Sequence, residues 1–291
     1  MSHPERPPDR RTGGSGADGD RDPQPERPPD RAGGKRGPSG ERRAARERGA
    51  DDDRGAGNVS LYVWRVPAAA VPAALWRMAV DPRRVRRQPG VRFVKLLGTG
   101  RDSRFGPASP DPTRWAALAV YDGDRPEFPG WARHAIASCR LDLAPLAAHG
   151  SWAGHRPFRI NGANDAEGTE TPILALTRAR LRPTRAATFW RAIGPVAAAA
   201  SHASGLLAAF GVGEAPLGWQ GTITLWRRPA DLFSFAYRHP QHRQAIEWTT
   251  TTGWYAEEMF ARFAVLNVVG DTGVIGWGSE RHAANRPSTG R

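Results

Sequence analysis

Two histidines stand three residues apart in the run Arg238-His239-Pro240-Gln241-His242-Arg243-Gln244-Ala245-Ile246. A helix that starts near Pro240 carries His242 in its first turn, since a proline amide needs no partner there. A single helical imidazole is the kind of ligand that holds a haem iron, its other ring nitrogen donating to a carboxylate or carbonyl. A surface histidine near a helix cap is the plainer alternative, and spacing leaves both open. Cys139, the only cysteine, offers a thiolate ligand or an inert buried thiol at the end of an apolar helix; the inert thiol is the expectation.

Other chemistries find little support. There is no nucleophile elbow, P-loop or His-Glu-x-x-His helix. Gly211-Val212-Gly213-Glu214 begins like a dinucleotide fingerprint, but the third glycine is missing and Pro216 falls where a helix should start. A turn between strands is expected there. One cysteine excludes an intrachain disulfide and a multi-cysteine metal site, which points to a reducing compartment, the cytoplasm. No signal-peptide core and no apolar run of spanning length is expected.

The chain of 291 residues has 42 basic and 29 acidic side chains, and Lys35 and Lys95 are its only lysines. Residues 1–57 hold 13 basic and 12 acidic groups, so nearly all of the formal charge of +13 falls on the rest. The arginines are interspersed among apolar residues, as in Arg178-Ala179-Arg180-Leu181-Arg182, which alternates like a strand with one solvated face, and form no basic arm. Nucleic acid is therefore not the expected partner. An anionic membrane surface remains a peripheral contact to consider.

Any active residues must be positioned by elements downstream of residue 57. Residues 1–57 are rich in Pro, Gly and Arg, repeat Glu-Arg-Pro-Pro-Asp-Arg at 5 and 26, and read as a disordered tail. Residues 58–150 read as strand 60–66, helix 71–80, strand 90–97, a Gly/Pro-rich loop, strand 115–121, helix 127–139 and strand 140–146. That order is the ferredoxin-like βαββαβ unit. Residues 172–270 repeat it: strand 172–181, helix 183–201, strands 206–212 and 219–226, a helical region 230–249 and strand 257–269. Residues 151–171 read as a linker and 271–291 as a second disordered tail. The fold class is α+β, with two tandem ferredoxin-like repeats whose sheets stack back to back or close into one barrel.

Several runs resemble the spheroidene monooxygenase family. They are Phe93-Val94-Lys95-Leu96-Leu97-Gly98-Thr99-Gly100, Trp115-Ala116, Gly150-Ser151-Trp152-Ala153-Gly154, Ile173 to Ala179, Phe189-Trp190, Gly211 to Pro216, Thr222 to Trp226, Phe235-Ala236-Tyr237 with His242, and Trp254 to Phe263. The last is the most specific, and the likeness covers roughly residues 60 to 268. It implies a dimeric α+β barrel fold and a haem-dependent monooxygenase that uses dioxygen to introduce a keto group into an acyclic carotenoid. An external electron donor, a membrane-delivered polyene and a homodimer belong to the same expectation.

On that resemblance His242 becomes the proximal iron ligand, and Arg178 or Arg262 meets a haem propionate. Trp190, Trp226, Phe235 and Trp254 line the haem or the polyene, and Glu214 steers protons near bound oxygen. The bland alternatives are ordinary surface pairing for the arginines and core packing for each tryptophan. Two further functions stay open: a cofactor-free monooxygenase of the same fold acting on a quinol-like compound, and a non-catalytic module that binds an apolar ligand.

Overall fold

In a computed structural model of the chain, residues 57–101, 110–160, 170–182, 184, 203–214, 219–238 and 255–278 are described. The expected helix 183–201, most of the helical region 230–249, and His242, Trp190 and Trp254 lie outside them.

The first half runs β1 (Asn58–Arg65), α1 (Val71–Val85), β2 (Val91–Gly100), β3 (Pro110–Tyr121), α2 (Pro129–His134) and β4 (Ala137–Gly150). The second half supplies β5 (Ile173–Leu181), β6 (Leu206–Gly213), β7 (Trp219–Trp226), α3 (Pro229–Phe233) and β8 (Tyr255–Gly270). Around the barrel the strands follow the order β1-β3-β2-β6-β7-β5-β8-β4, with every pairing antiparallel. Each half keeps the ferredoxin-like neighbour order, and the halves join at β2–β6 and β4–β8. Of the two expected arrangements the closed barrel is the one formed; it leaves no unpaired sheet edge.

Alternation of side chains gives each strand one inward and one outward face. Val59, Leu61 and Val63 on β1, Leu118 and Val120 on β3, Leu174 and Leu176 on β5, and Phe263 on β8 fill the interior. Outside the first half, Trp64, Val94, Leu96 and Trp115 pack under Phe128 and Trp131 around α2. Trp64 stacks on Trp131 at 5.2 Å, and Phe128 lies 5.1 Å from Trp64.

Three expected boundaries are corrected. The helix expected over 127–139 stops at His134, because Ala135 turns extended and the Ile136 amide donates to the Arg65 carbonyl, which starts β4 alongside β1. Cys139 therefore sits on an inward position of β4, where burial and Asp271 push its thiol up to about 11. The stretch after Gly270 is packed: Thr272–Ile275 forms a 3₁₀ turn capped by the Asp271 carboxylate, with Val274 and Ile275 buried in the barrel core. Residues 151–160 likewise lend two side chains to the core, since Trp152 is fully buried and Phe158 meets Phe263 edge-on at 4.9 Å. Among the described residues no helix is long and apolar enough to cross a membrane.

Candidate functional site

Two places bring polar or ligand-sized features together, one inside the barrel and one on its outer wall. The interior one begins with parity. Arg178 occupies the same inward face of β5 as Leu174 and Leu176, and Lys95 shares the inward face of β2 with Phe93 and Leu97. A charge at such a position must find a partner, because leaving it alone in an apolar interior costs several kcal/mol.

Both do, at the end of the barrel where β4 finishes and β8 starts. The Arg178 guanidinium, 3% exposed, donates to Glu257 and, at 3.0 Å, to Glu214. Glu214 also accepts from Lys95 Nζ at 2.6 Å and from Trp152 Nε1 at 2.6 Å. Glu257 accepts in addition from the Gly154 amide at 2.8 Å and the Ser151 hydroxyl at 3.1 Å. Burial alone would raise the Glu257 pKa, but the Gly154 amide, the Arg178 hydrogen bond and charge, and the Ala153 amide outweigh it and hold the carboxyl at about 2. The Trp152 ring lies beside this group, 5.6 Å from the Arg178 guanidinium carbon.

The arrangement is a closed ionic tie between the halves, with β2 of the first half held to β5, β6 and β8 of the second. Glu214 has both oxygens engaged by cations and an indole, which makes it an anchor between the halves. Arg178, paired with two carboxylates inside the barrel, does not share a face with Arg262. The β5–β8 register pairs Arg178 with Met259 and Ala175 with Arg262, so opposite parity puts Arg262 outside.

That outer wall is the second place. Rows across β6, β7, β5 and β8 read Ala209, Thr224, Ala175, Arg262 and then Gly211, Thr222, Thr177, Phe260. Three neighbouring strands of Ala, Thr and Gly make a shallow floor about 10 Å wide at the ordinary strand spacing. The corresponding wall of the first half is filled by Trp64, Trp115 and Tyr121. At one side of the floor Trp226 stacks on Phe235 at 5.3 Å and packs with Ile173 and Leu232. The Trp226 Nε1 donates to the Thr224 hydroxyl at 2.9 Å, which fixes the ring. Arg262 stands at the β8 side with its guanidinium carbon 4.8 Å from the Phe233 ring; no carboxylate pairs with it among the described residues. Of the sequence-predicted site residues, the fold thus gathers Arg262, Trp226 and Phe235 on one face and sends Arg178 and Glu214 to another.

Lys95, Trp152 and Glu257 were missed by sequence reasoning. A basic residue at core parity in a strand, as at Lys95 and Arg178, is the signal that points to a buried ionic group. Among the described residues no cluster of three His, Cys, Asp or Glu side chains is placed to hold a metal ion.

A small, flat floor with a cationic rim and an aromatic edge suits a planar, apolar group bearing a carboxylate, which fits a haem. No family model matches the chain. Among curated proteins it is 31% identical over 211 residues to a spheroidene monooxygenase of Rhodobacter capsulatus, covering 69% of this chain and 87% of that one. It is 32% identical over 213 residues to that of Rubrivivax gelatinosus, covering 69% and 80%. Solved structures similar to it include a putative monooxygenase of Fusobacterium nucleatum, at 11% identity and a TM-score of 0.33 over 73% of this chain and 94% of that one. An aldoxime dehydratase gives 14% identity and a TM-score of 0.43 over 72% and 79%. The chain is an oxygenase and belongs to the spheroidene monooxygenase family.

Proposed function

We propose that this enzyme is a haem-dependent monooxygenase that inserts oxygen into a hydrophobic, carotenoid-like substrate of the spheroidene type. The observation that carries the reading is the Ala/Thr/Gly floor on β5, β6 and β7 beside Arg262, in a molecule whose equivalent wall in the first half is packed with aromatic rings. Bound haem would supply dioxygen activation, with two electrons from a donor outside this chain.

The protein's own contributions follow from its side chains. Small side chains on the floor would let a planar ring lie close to the strands, and Arg262 would offer a forked donor to a propionate. His242, which follows α3 in the sequence, would hold the haem iron, with Trp190 and Trp254 as further apolar lining. Trp226 and Phe235, stacked and fixed through Thr224, exclude water from one edge. An apolar wall of this kind suits a long polyene, which offers few polar atoms to recognise. Arg178 and Glu214 act at a distance, by holding β5 and β6 in register beneath the floor.

The test is an absorption spectrum of protein from haem-supplemented cells, recorded for the wild type, His242→Ala and Ala175→Trp. The wild type is expected to show a strong Soret band. His242→Ala should lose it through the missing ligand, and Ala175→Trp should lose it by filling the floor while circular dichroism stays unchanged. A colourless wild type that still oxidises a quinol-like substrate would replace this reading with the cofactor-free one.

A further inference from the structure

We propose that the solvent face of α1 docks the protein on an anionic lipid surface. At about 100° per residue, Leu75, Trp76 and Arg83 fall within an arc of about 100°, Arg86 and Arg87 follow just past the C-terminal end of the helix, and Ala74, Asp81 and Val85 point to the barrel. Trp76 is 68% exposed and Leu75 57% exposed. Large apolar side chains so exposed and side by side mark an interaction surface.

The order along the axis is what selects a lipid surface. The N-terminal turns of the face are apolar and follow an exposed Pro67-Ala68-Ala69 corner, whereas the C-terminal turns carry Arg83, Arg86 and Arg87, all exposed. The helix's one acidic residue, Asp81, is buried at 7% exposure and lies near Arg77 and Arg84 at 3.7 and 3.8 Å. The exposed face thus carries only positive charge. An indole and a leucine at headgroup depth, flanked by arginines over phosphates, is the arrangement of an interfacial helix. Residues 58–291 hold nearly all of the formal charge of +13, which complements an anionic leaflet.

This inference does not depend on haem or on the substrate, and its test needs neither. The full chain is sedimented with vesicles of phosphatidylcholine alone and of phosphatidylcholine with phosphatidylglycerol, at low and high salt. Binding is expected with the anionic vesicles, weakening with salt. Arg83→Gln with Arg86→Gln and Arg87→Gln should weaken it about a hundred-fold, from roughly five-fold per arginine. Leu75→Glu with Trp76→Glu should abolish the salt-resistant part. Unchanged thermal midpoints for both variants keep the comparison valid, and an unchanged Soret band would separate this surface from the haem reading. The proposal is overturned if the wild type ignores anionic vesicles, as it would if the face served a protein partner. Equal binding by both variants, which would place lipid contact elsewhere on the chain, also overturns it.

Discussion

Arg178 is buried to 3% exposure among apolar neighbours, and its two terminal nitrogens meet Glu257 and Glu214. A buried ion pair of this kind adds modest net stability, yet breaking it is costly, because the remaining charge keeps its desolvation penalty. Glu257 gives the pH dependence. Its pKa of about 2 lies below the ordinary 4.5, so its stabilisation is present in full above the unfolded value and is lost as pH falls from about 5 toward 2. Glu257→Gln should therefore lower unfolding stability at pH 7 by on the order of 3 kcal/mol. In urea titrations the wild-type and variant curves should converge near pH 2; a difference that persists undiminished at pH 2 would assign the loss to packing. The alternation of residues 178–182 reads as a strand with one solvated face, which puts Arg178 outside, whereas the structure buries it; Lys95 and the carboxylate pairings were not legible. Glu214 and Lys95 are 119 positions apart, and only closure of the barrel brings them together.

At the scale of the element, alternation made most strands legible: β1, β5, β6 and β7 begin and end within two residues of where apolar residues recur at period two. The second helix was misjudged because Ala135, Ile136 and Ala137 suit a helix locally, whereas pairing with β1 decides their conformation. The corner after β4 was also hidden. Gly150 has φ +89°, and a Cβ there would lie 2.1 Å from the Glu258 carbonyl oxygen. The next amide, Ser151, donates to that same carbonyl at 2.7 Å and starts the turn that buries Trp152. Gly150→Ala is expected to cost about 2–3 kcal/mol in strain and displaced backbone, a fall in thermal midpoint of about 5–10 °C. Gly154, at φ +77° with no neighbouring atom within 4 Å of where a Cβ would stand, provides the contrast: Gly154→Ala should cost less. Equal losses would show that backbone conformation alone, and not the close approach to β8, sets the requirement at Gly150.

For the whole molecule, the two seams that join the halves are unequal. β4 pairs with β8 from Cys139–Gly270 to Gly150–Met259, whereas among the described residues β2 meets β6 at Gly98–Gly213 and Thr99–Val212. The tandem repeat legible in the sequence says nothing of this asymmetry, since each half has the same strand order and the seams depend on where the strands overlap. Lys95 and Glu214 stand beside the short seam, so their contact adds a side-chain link to it. Removing it should open that seam selectively. Lys95→Met is expected to speed amide hydrogen exchange at Thr99 and Val212 while leaving Leu141 and Leu143 on β4 protected, because local opening requires only the contacts of the unit that opens. Uniform acceleration at both seams would mean that the halves separate only by global unfolding. Selective acceleration would make the β2–β6 seam the place where the barrel yields first, next to the β6 strand that borders the proposed haem floor.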